Sequence, residues 1–223
     1  MKDNLFDGVG EEWNDYFETG KDKINKEKFE REKYDFSDLL NCYEKWREEA
    51  INQGVLDAYQ IAAKFLKEYE IPFLSEKEIN ELIEEVEEKE YSYKGIFFSA
   101  MINELYKNKE IHISSDKINY LGCCFRNKKI VIEGDCENWT GVYMKSGEIV
   151  IEGDCEGWTG EYMTGGEIIV KGNCENGLGD TMKGGKIKIY GDNFDPKKQI
   201  SIFAKKGEIY HKDELVWKDG ELI

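Results

Sequence analysis

The sequence predicts an α plus all-β protein: a helical N-terminal region, then a short parallel β-helix of about five coils. Three observations carry that reading. Composition changes near residue 110. Apolar residues before that point recur at three- and four-residue spacing. Beyond it the chain repeats itself every nineteen residues without a gap.

The 223 residues hold 31 Lys+Arg against 47 Asp+Glu, for a formal net charge of -16. An acidic balance of this size argues against nonspecific binding to nucleic acid or an anionic membrane, both of which need basic surface. Apolar residues at 40% and aromatics at 13% are too many for a disordered chain. No apolar run approaches the roughly 18 residues a membrane span needs. The opening MKDNLFDGVGEEW has no basic stretch followed by an apolar one, so a cytoplasmic location is expected. Six cysteines in such a chain do not imply a disulfide scaffold. Residues 1–110 carry a net charge of -12 and residues 111–223 only -4, while most glycines and five of the six cysteines lie in the second part. This shift places a helical domain or cap over 1–108, a β-helix over 109–207 and a β-hairpin cap over 208–223.

After a polar lead-in (about 1–34), Phe36, Leu39, Leu40, Tyr43, Trp46 and Ala50 define one helical face. Gly54 reads as its stop. Val55, Ala58, Tyr59, Ala62, Phe65, Leu66 and Tyr69 define a second face, closed by Pro72. Ser75 with Glu78 is a capping-box pattern ahead of Ile79, Leu82, Ile83 and Val86. Phe98, Met101, Ile102 and Leu105 define a fourth stripe. The acidic run Glu84–Glu90 reads as a solvated helix face, and Trp13 and Trp46 read as core.

The repeat is visible letter by letter: KKIVIEGDCENWTGVYMKSG, then EIVIEGDCEGWTGEYMTGG, then EIIVKGNCENGLGDTMKGG. Degraded copies flank it, with Ile111-His112-Ile113 before and Ile187-Lys188-Ile189 after. In the last copy Gly207 arrives three residues late. Nineteen residues are too few for a propeller blade or a helical pair. One strand plus glycine-rich turns cannot bury an apolar side alone, but stacked copies can. Like residues then form ladders about 4.8 Å apart, with glycines at corners that need positive φ.

Ile130, Ile149, Ile168 and Ile187 form one inward column, and Ile132, Ile151, Val170 and Ile189 another. The structural ladders Cys136, Cys155, Cys174 and Met144, Met163, Met182 also point inward. Stacked cysteines lie within disulfide range, but the reading favoured here is an inert buried ladder, with a bridge or a metal site helped by Cys123 or Cys124 as alternatives. Asp135, Asp154, Asn173 and Asp192 line a corner. There they read as turn residues bonding their own backbone, and a Ca²⁺ site is the alternative. Val131, Val150 and Ile169 should face outward as an apolar stripe needing a cover, from the helices or from a partner. Trp139 and Trp158 add a second candidate contact ladder.

The pattern G-D-C-x-x-x-x-G-x-x-M-x-x-G over about 111–207 resembles the GXGXG repeat module. That module forms the C-terminal domain of the glutamate synthase large subunit and also occurs within formylmethanofuran dehydrogenase, as one of that enzyme's component chains. The residues that carry the resemblance are Gly134, Gly141, Met144 and Gly147 and their equivalents in the next two repeats. The resemblance implies a right-handed β-helix with a structural, interdomain role and no catalytic residue to carry over. The chain has fewer coils than that family, and its helical region matches nothing in the synthase.

Phosphate loops, G-x-S-x-G, H-E-x-x-H and paired C-x-x-C are all missing from the sequence, and it holds only two histidines. The expectation is a non-catalytic structural or protein-interaction protein, without cofactor, metal or catalytic residue, and with a protein partner or self-association. An accessory subunit or orphan domain of an oxidoreductase or amidotransferase complex is the alternative reading. An independent carbohydrate-active enzyme is a third and less favoured one. The open ends of the coil stack need covers. A helix at about 92–107 or its neighbours should cover the first coil, and EIYHKDELVWKDGELI should cover or extend the far end, with a turn at Lys218-Asp219-Gly220.

Overall fold

Ile111, Ile130, Ile149, Ile168, Ile187 and Ile209 occupy the same rung of six consecutive strands, and all are fully buried. The strands are β1 (Glu110–Ile113), β2 (Lys129–Ile132), β3 (Glu148–Ile151), β4 (Glu167–Val170), β5 (Lys183–Ile189) and β6 (Lys206–His211). Each pairs in parallel with its predecessor, nineteen residues on as far as β5, and so winds a β-solenoid of about five turns. β7 (Glu214–Lys218) and β8 (Glu221–Leu222) then add antiparallel, so that one eight-stranded sheet runs in sequence order. This computed structural model describes residues 36–86, 93–114 and 118–223. The chain divides into units Met1–Phe36 and Ser37–Ile223, and the account that follows concerns the second. The lead-in, Trp13 and Glu87–Glu90 lie outside the described residues.

The inner columns fill as the alternation of the strands requires. Ile113, Ile132, Ile151, Val170 and Ile189 make the second column, while Met144, Met163 and Met182 close the core from the turn side, all of them fully buried. Cys136 pairs with Cys155 and Cys155 with Cys174 as isolated parallel bridges, a second line of contact between coils.

The corner glycines serve two different needs. Gly141 and Gly160 have φ of +72° and +73°, where a side chain is strained. Gly153 and Gly172 are not in the left-handed region. A Cβ on Gly172 would lie 2.6 Å from the Gly153 carbonyl oxygen, so close stacking of backbones excludes any other residue there. This corrects the expectation of positive φ at every corner. The acidic corner also differs from the local turn expected. Asp135 Oδ1 accepts from Asp154 N (2.7 Å) and Asp154 Oδ1 from Asn173 N (2.6 Å), so each side chain ties its coil to the next one.

Among the described residues four helices precede the stack: α1 (Phe36–Ala50), α2 (Val55–Glu68), α3 (Glu76–Glu85) and α4 (Lys94–Leu105). Gly54 does not stop α1. That helix ends at Ala50, and Gly54 is the N-cap of α2, with an extended backbone. The Ser75–Glu78 capping box is present. Tyr43, Trp46, Phe97 and Phe98 form the aromatic centre, with Tyr43 edge-on to Phe97 at 5.3 Å. Trp46 Nε1 donates to the Ala58 carbonyl (2.9 Å), which satisfies its buried polar end.

α4 is buried on nearly all sides because it packs on the helices and on the first coil together. Ser99 Oγ accepts from Gly122 N (2.8 Å) and Cys123 N (3.1 Å). Lys128 Nζ donates to the carbonyls of Ile102, Asn103 and Tyr106 at the end of α4, and burial pulls its pKa down to about 8. α3 meets the open edge of β1. Glu76 Oε2 accepts from His112 N (2.9 Å), and Asn80 Nδ2 donates to His112 O (2.8 Å). Two side chains one helical turn apart thus stand in for a neighbouring strand. At the far end β6 to β8 extend the sheet, and Asp219 and Gly220 make the turn between β7 and β8.

Candidate interaction face

Each of the first four coils turns through at least one residue in left-handed conformation that is not glycine. Tyr120, Trp139 and Trp158 have φ of 62°, 62° and 58°, and Cys124, Tyr143 and Tyr162 have 55°, 56° and 55°. Bulky residues there carry strain of about 1–3 kcal/mol each. Stacking down the solenoid axis offsets it. Tyr120 and Trp139 lie 4.9 Å apart at 3°, Trp139 and Trp158 5.2 Å apart at 12°, and Tyr143 and Tyr162 4.8 Å apart at 5°. Tyr93 closes the first stack edge-on against Tyr120, at 5.2 Å. On the next coil Gly177 takes the rung after Trp158, and a Cβ there would lie 3.0 Å from Trp158 Cδ1. The indole rests on bare backbone.

Glu161 sits between the two stacks. Burial pushes its carboxyl pKa up and the neighbouring Asp180 adds to this, while a hydrogen bond from the Trp139 side chain opposes both. Burial likewise pushes the Tyr143 hydroxyl up to about 12. Thr140 and Thr159 are fully buried and donate to the Glu137 and Glu156 carbonyls.

The face is covered at its start and open at its end. Beside the first coil, Asn103 donates to Tyr59 Oη and to the Cys124 carbonyl, and Arg126 pairs with Glu104 at 2.9 Å. By the third coil Trp158 is 42% exposed. On the fifth coil Ile202 and Phe203 are 88% and 60% exposed. Leu178 pairs with Ile200, and Ser201 N donates to the Leu178 carbonyl, which sets Ile202 below Asp180 and Phe203 below Thr181. Phe203 therefore continues the column of Tyr143 and Tyr162. The late Gly207 was the signal that could have revealed it. Three extra residues are absorbed over 192–199, where α5 (Pro196–Gln199) forms, and correcting the period for them aligns the column.

The outward stripe is in register, with His112 beside Val131, Val150, Ile169 and Lys188 in turn. Val131 and Val150 are nonetheless buried. Long charged side chains flank the stripe, with Lys129 between Glu110 and Glu148 and Lys188 on Glu167. Of the two apolar ladders proposed for contact, the one at Trp139 and Trp158 reaches solvent at its lower rung. The Cys136, Cys155 and Cys174 thiols are buried and free, as are Cys42, Cys123 and Cys124. Among the described residues no group of three or more His, Cys, Asp or Glu is arranged to hold a metal ion, and no helix is long and apolar enough to cross a membrane.

The profile of a family described as the GXGXG motif matches residues 81–209, more than half of the chain. The match starts within the second half of α3, takes in α4 and the coils, and ends within β6. No curated protein matches the chain.

Proposed function

The chain belongs to the GXGXG motif family, and on that premise we propose that it is a non-catalytic structural and interaction protein. Its docking surface is the aromatic face of coils three to five. The observation that supports this reading is that three of the six exposed large apolar side chains among the described residues, Trp158, Ile202 and Phe203, lie on coils three to five, while Ile51, Leu222 and Ile223 lie elsewhere. Trp and Phe are enriched at the centres of protein interfaces, where rigid rings bury much area at little entropic cost. Strained aromatic positions repeated coil after coil are the kind of feature that persists where a surface must be presented in a fixed shape. The first coil shows how the face is satisfied when covered, since the chain's own Tyr59, Asn103 and Tyr93 lie against it.

The test compares the wild type with Ile202→Ser/Phe203→Ser, two exposed positions whose change leaves the buried core alone. Both are tagged and expressed in the native host, and co-purifying proteins are quantified by mass spectrometry, with sedimentation of the purified chain alongside. A protein, or a second copy, that associates with the wild type and drops at least tenfold with the variant supports the face as the docking surface. Equal association for both chains would remove it. Turnover of any substrate traced to a coil residue would remove the non-catalytic reading.

A further inference from the structure

The three inward cysteines are equivalent by repeat but not by geometry. Cys136 has Thr140 as its side-chain partner. Cys155 and Cys174 instead face each other, with sulfurs 2.7 Å apart across directly paired positions of neighbouring coils. A disulfide needs about 2.05 Å between sulfurs and Cα atoms about 4.4–6.8 Å apart, and coils in parallel register supply the latter. Cys123 and Cys124, adjacent in sequence, have sulfurs 3.8 Å apart. One pair of the six thiols is therefore set up for bonding well ahead of the rest.

We propose that Cys155 and Cys174 are a peroxide-oxidisable pair that forms a reversible disulfide clip between the third and fourth coils. Cys174 lies beside the opening. Its carbonyl accepts from Gln199 Nε2, and Gln199, Asn176 and Asn193 line an open pocket at the insertion before β6. The thiol itself faces the core and is not part of that lining, so hydrogen peroxide reaches it through local opening of the coil. The Cys174 thiolate attacks one peroxide oxygen and the O–O bond breaks. Hydroxide leaves and takes the thiol proton as water, with a sulfenic acid left on Cys174. The Cys155 sulfur then attacks the Cys174 sulfur, and the S–O bond breaks. The second hydroxide leaves as water with the Cys155 proton. Two thiols lose two electrons and two protons, and one peroxide becomes two waters. A dithiol reductant reverses the link by thiol–disulfide exchange. Burial holds the Cys174 thiol pKa well above its usual value. Because the thiolate is the nucleophile, oxidation should be slow near neutral pH and faster as pH rises.

The test uses the full chain, reduced and desalted, then treated with hydrogen peroxide, denatured, alkylated, digested with trypsin and analysed by mass spectrometry. Trypsin separates the Cys136, Cys155 and Cys174 peptides, so no variant is needed to assign the link. The expected result is four alkylated cysteines, the Cys155 peptide joined to the Cys174 peptide, and full recovery of six alkylated cysteines after dithiothreitol. Cys136→Ser should keep the link. Six alkylated cysteines after peroxide, a link through Cys136 or between Cys123 and Cys124, or a product that dithiothreitol does not reverse would each overturn the proposal.

Discussion

The helical segment and the coils bury their apolar side chains by opposite rules. In the coils, position within the nineteen-residue period decides environment, and Ile130, Ile149, Ile168 and Ile187 see nearly the same neighbours. In the helices no position has an equivalent. Tyr43, Trp46, Phe97 and Phe98 meet once, at angles between 11° and 80°. The difference teaches where tolerance lies. A ladder spreads one demand over several rungs, whereas a single aromatic cluster concentrates it. The junction obeys both rules, because α4 must fit a helix face to the end of a periodic stack.

The junction should break most sharply. A Cβ on Gly95 would meet the Asn119 carbonyl oxygen, with Leu121 N at 2.7 Å and the Tyr120 carbonyl carbon at 2.9 Å, all backbone atoms. Gly95→Ala should therefore cost about 3–5 kcal/mol, read as a fall in the urea midpoint. A wild-type midpoint would mean that α4 does not sit so closely on the first coil.

The periodic rule is tested next by Gly141→Val and Gly160→Val. Each residue has positive φ, and a Cβ would lie 2.5 Å from the tip of Ile168 for Gly141 or 2.8 Å from the tip of Ile187 for Gly160. Each should lose about 2–4 kcal/mol, and the two losses should agree within about 1 kcal/mol. Widely different values would show that the coils are not energetically equivalent.

A smaller effect is expected from Lys128→Met. It keeps the apolar stem but leaves three carbonyls at the end of α4 without their donor, at about 1–3 kcal/mol. Loss of protection at the α4 amides in hydrogen exchange should accompany it, while the amides of β3 and β4 stay protected.

The smallest effect is electrostatic. Hydrogen bonding to Glu110, with Glu133 adding to it, raises the His112 pKa above 6.5. A raised folded-state pKa contributes stability that is fully present below the unfolded value and is lost as pH rises through the folded one. The Tm of the wild type should thus fall slightly between about pH 6 and pH 8, and His112→Gln should flatten that dependence. A slope that survives in the variant would assign it to another group. The ring is exposed, so solvent and salt keep the effect small.

The coil register was legible because repetition is itself the signal, and each inward isoleucine stands where its column places it. The helical stripes were legible for a simpler reason, since a packed helix shows its period in its apolar residues. The docking face was only half visible. Trp139 and Trp158 stand out in the repeat, but nothing local marks a tryptophan as left-handed, because that conformation is imposed by the coil around it. Ile202 and Phe203 fell out of register behind the three-residue insertion. The glycine corners looked alike as letters and differ as structure. Gly160 is required by its own backbone angle, whereas Gly172 is required by the coil beside it.

By itself the sequence determined the nineteen-residue period, the inward columns and the four helical faces, because all of these follow from chemistry recurring along one chain. Tertiary structure alone decided that α3 lends Glu76 and Asn80 to the edge of β1, that Lys128 closes α4, and that Cys155 turns to Cys174 rather than to Cys136. Apart from the two cysteines, which the nineteen-residue period relates, those contacts join residues that no spacing rule relates. Their partners are chosen by shape and unsatisfied hydrogen-bonding groups once the coils have stacked, and both exist only in the folded molecule.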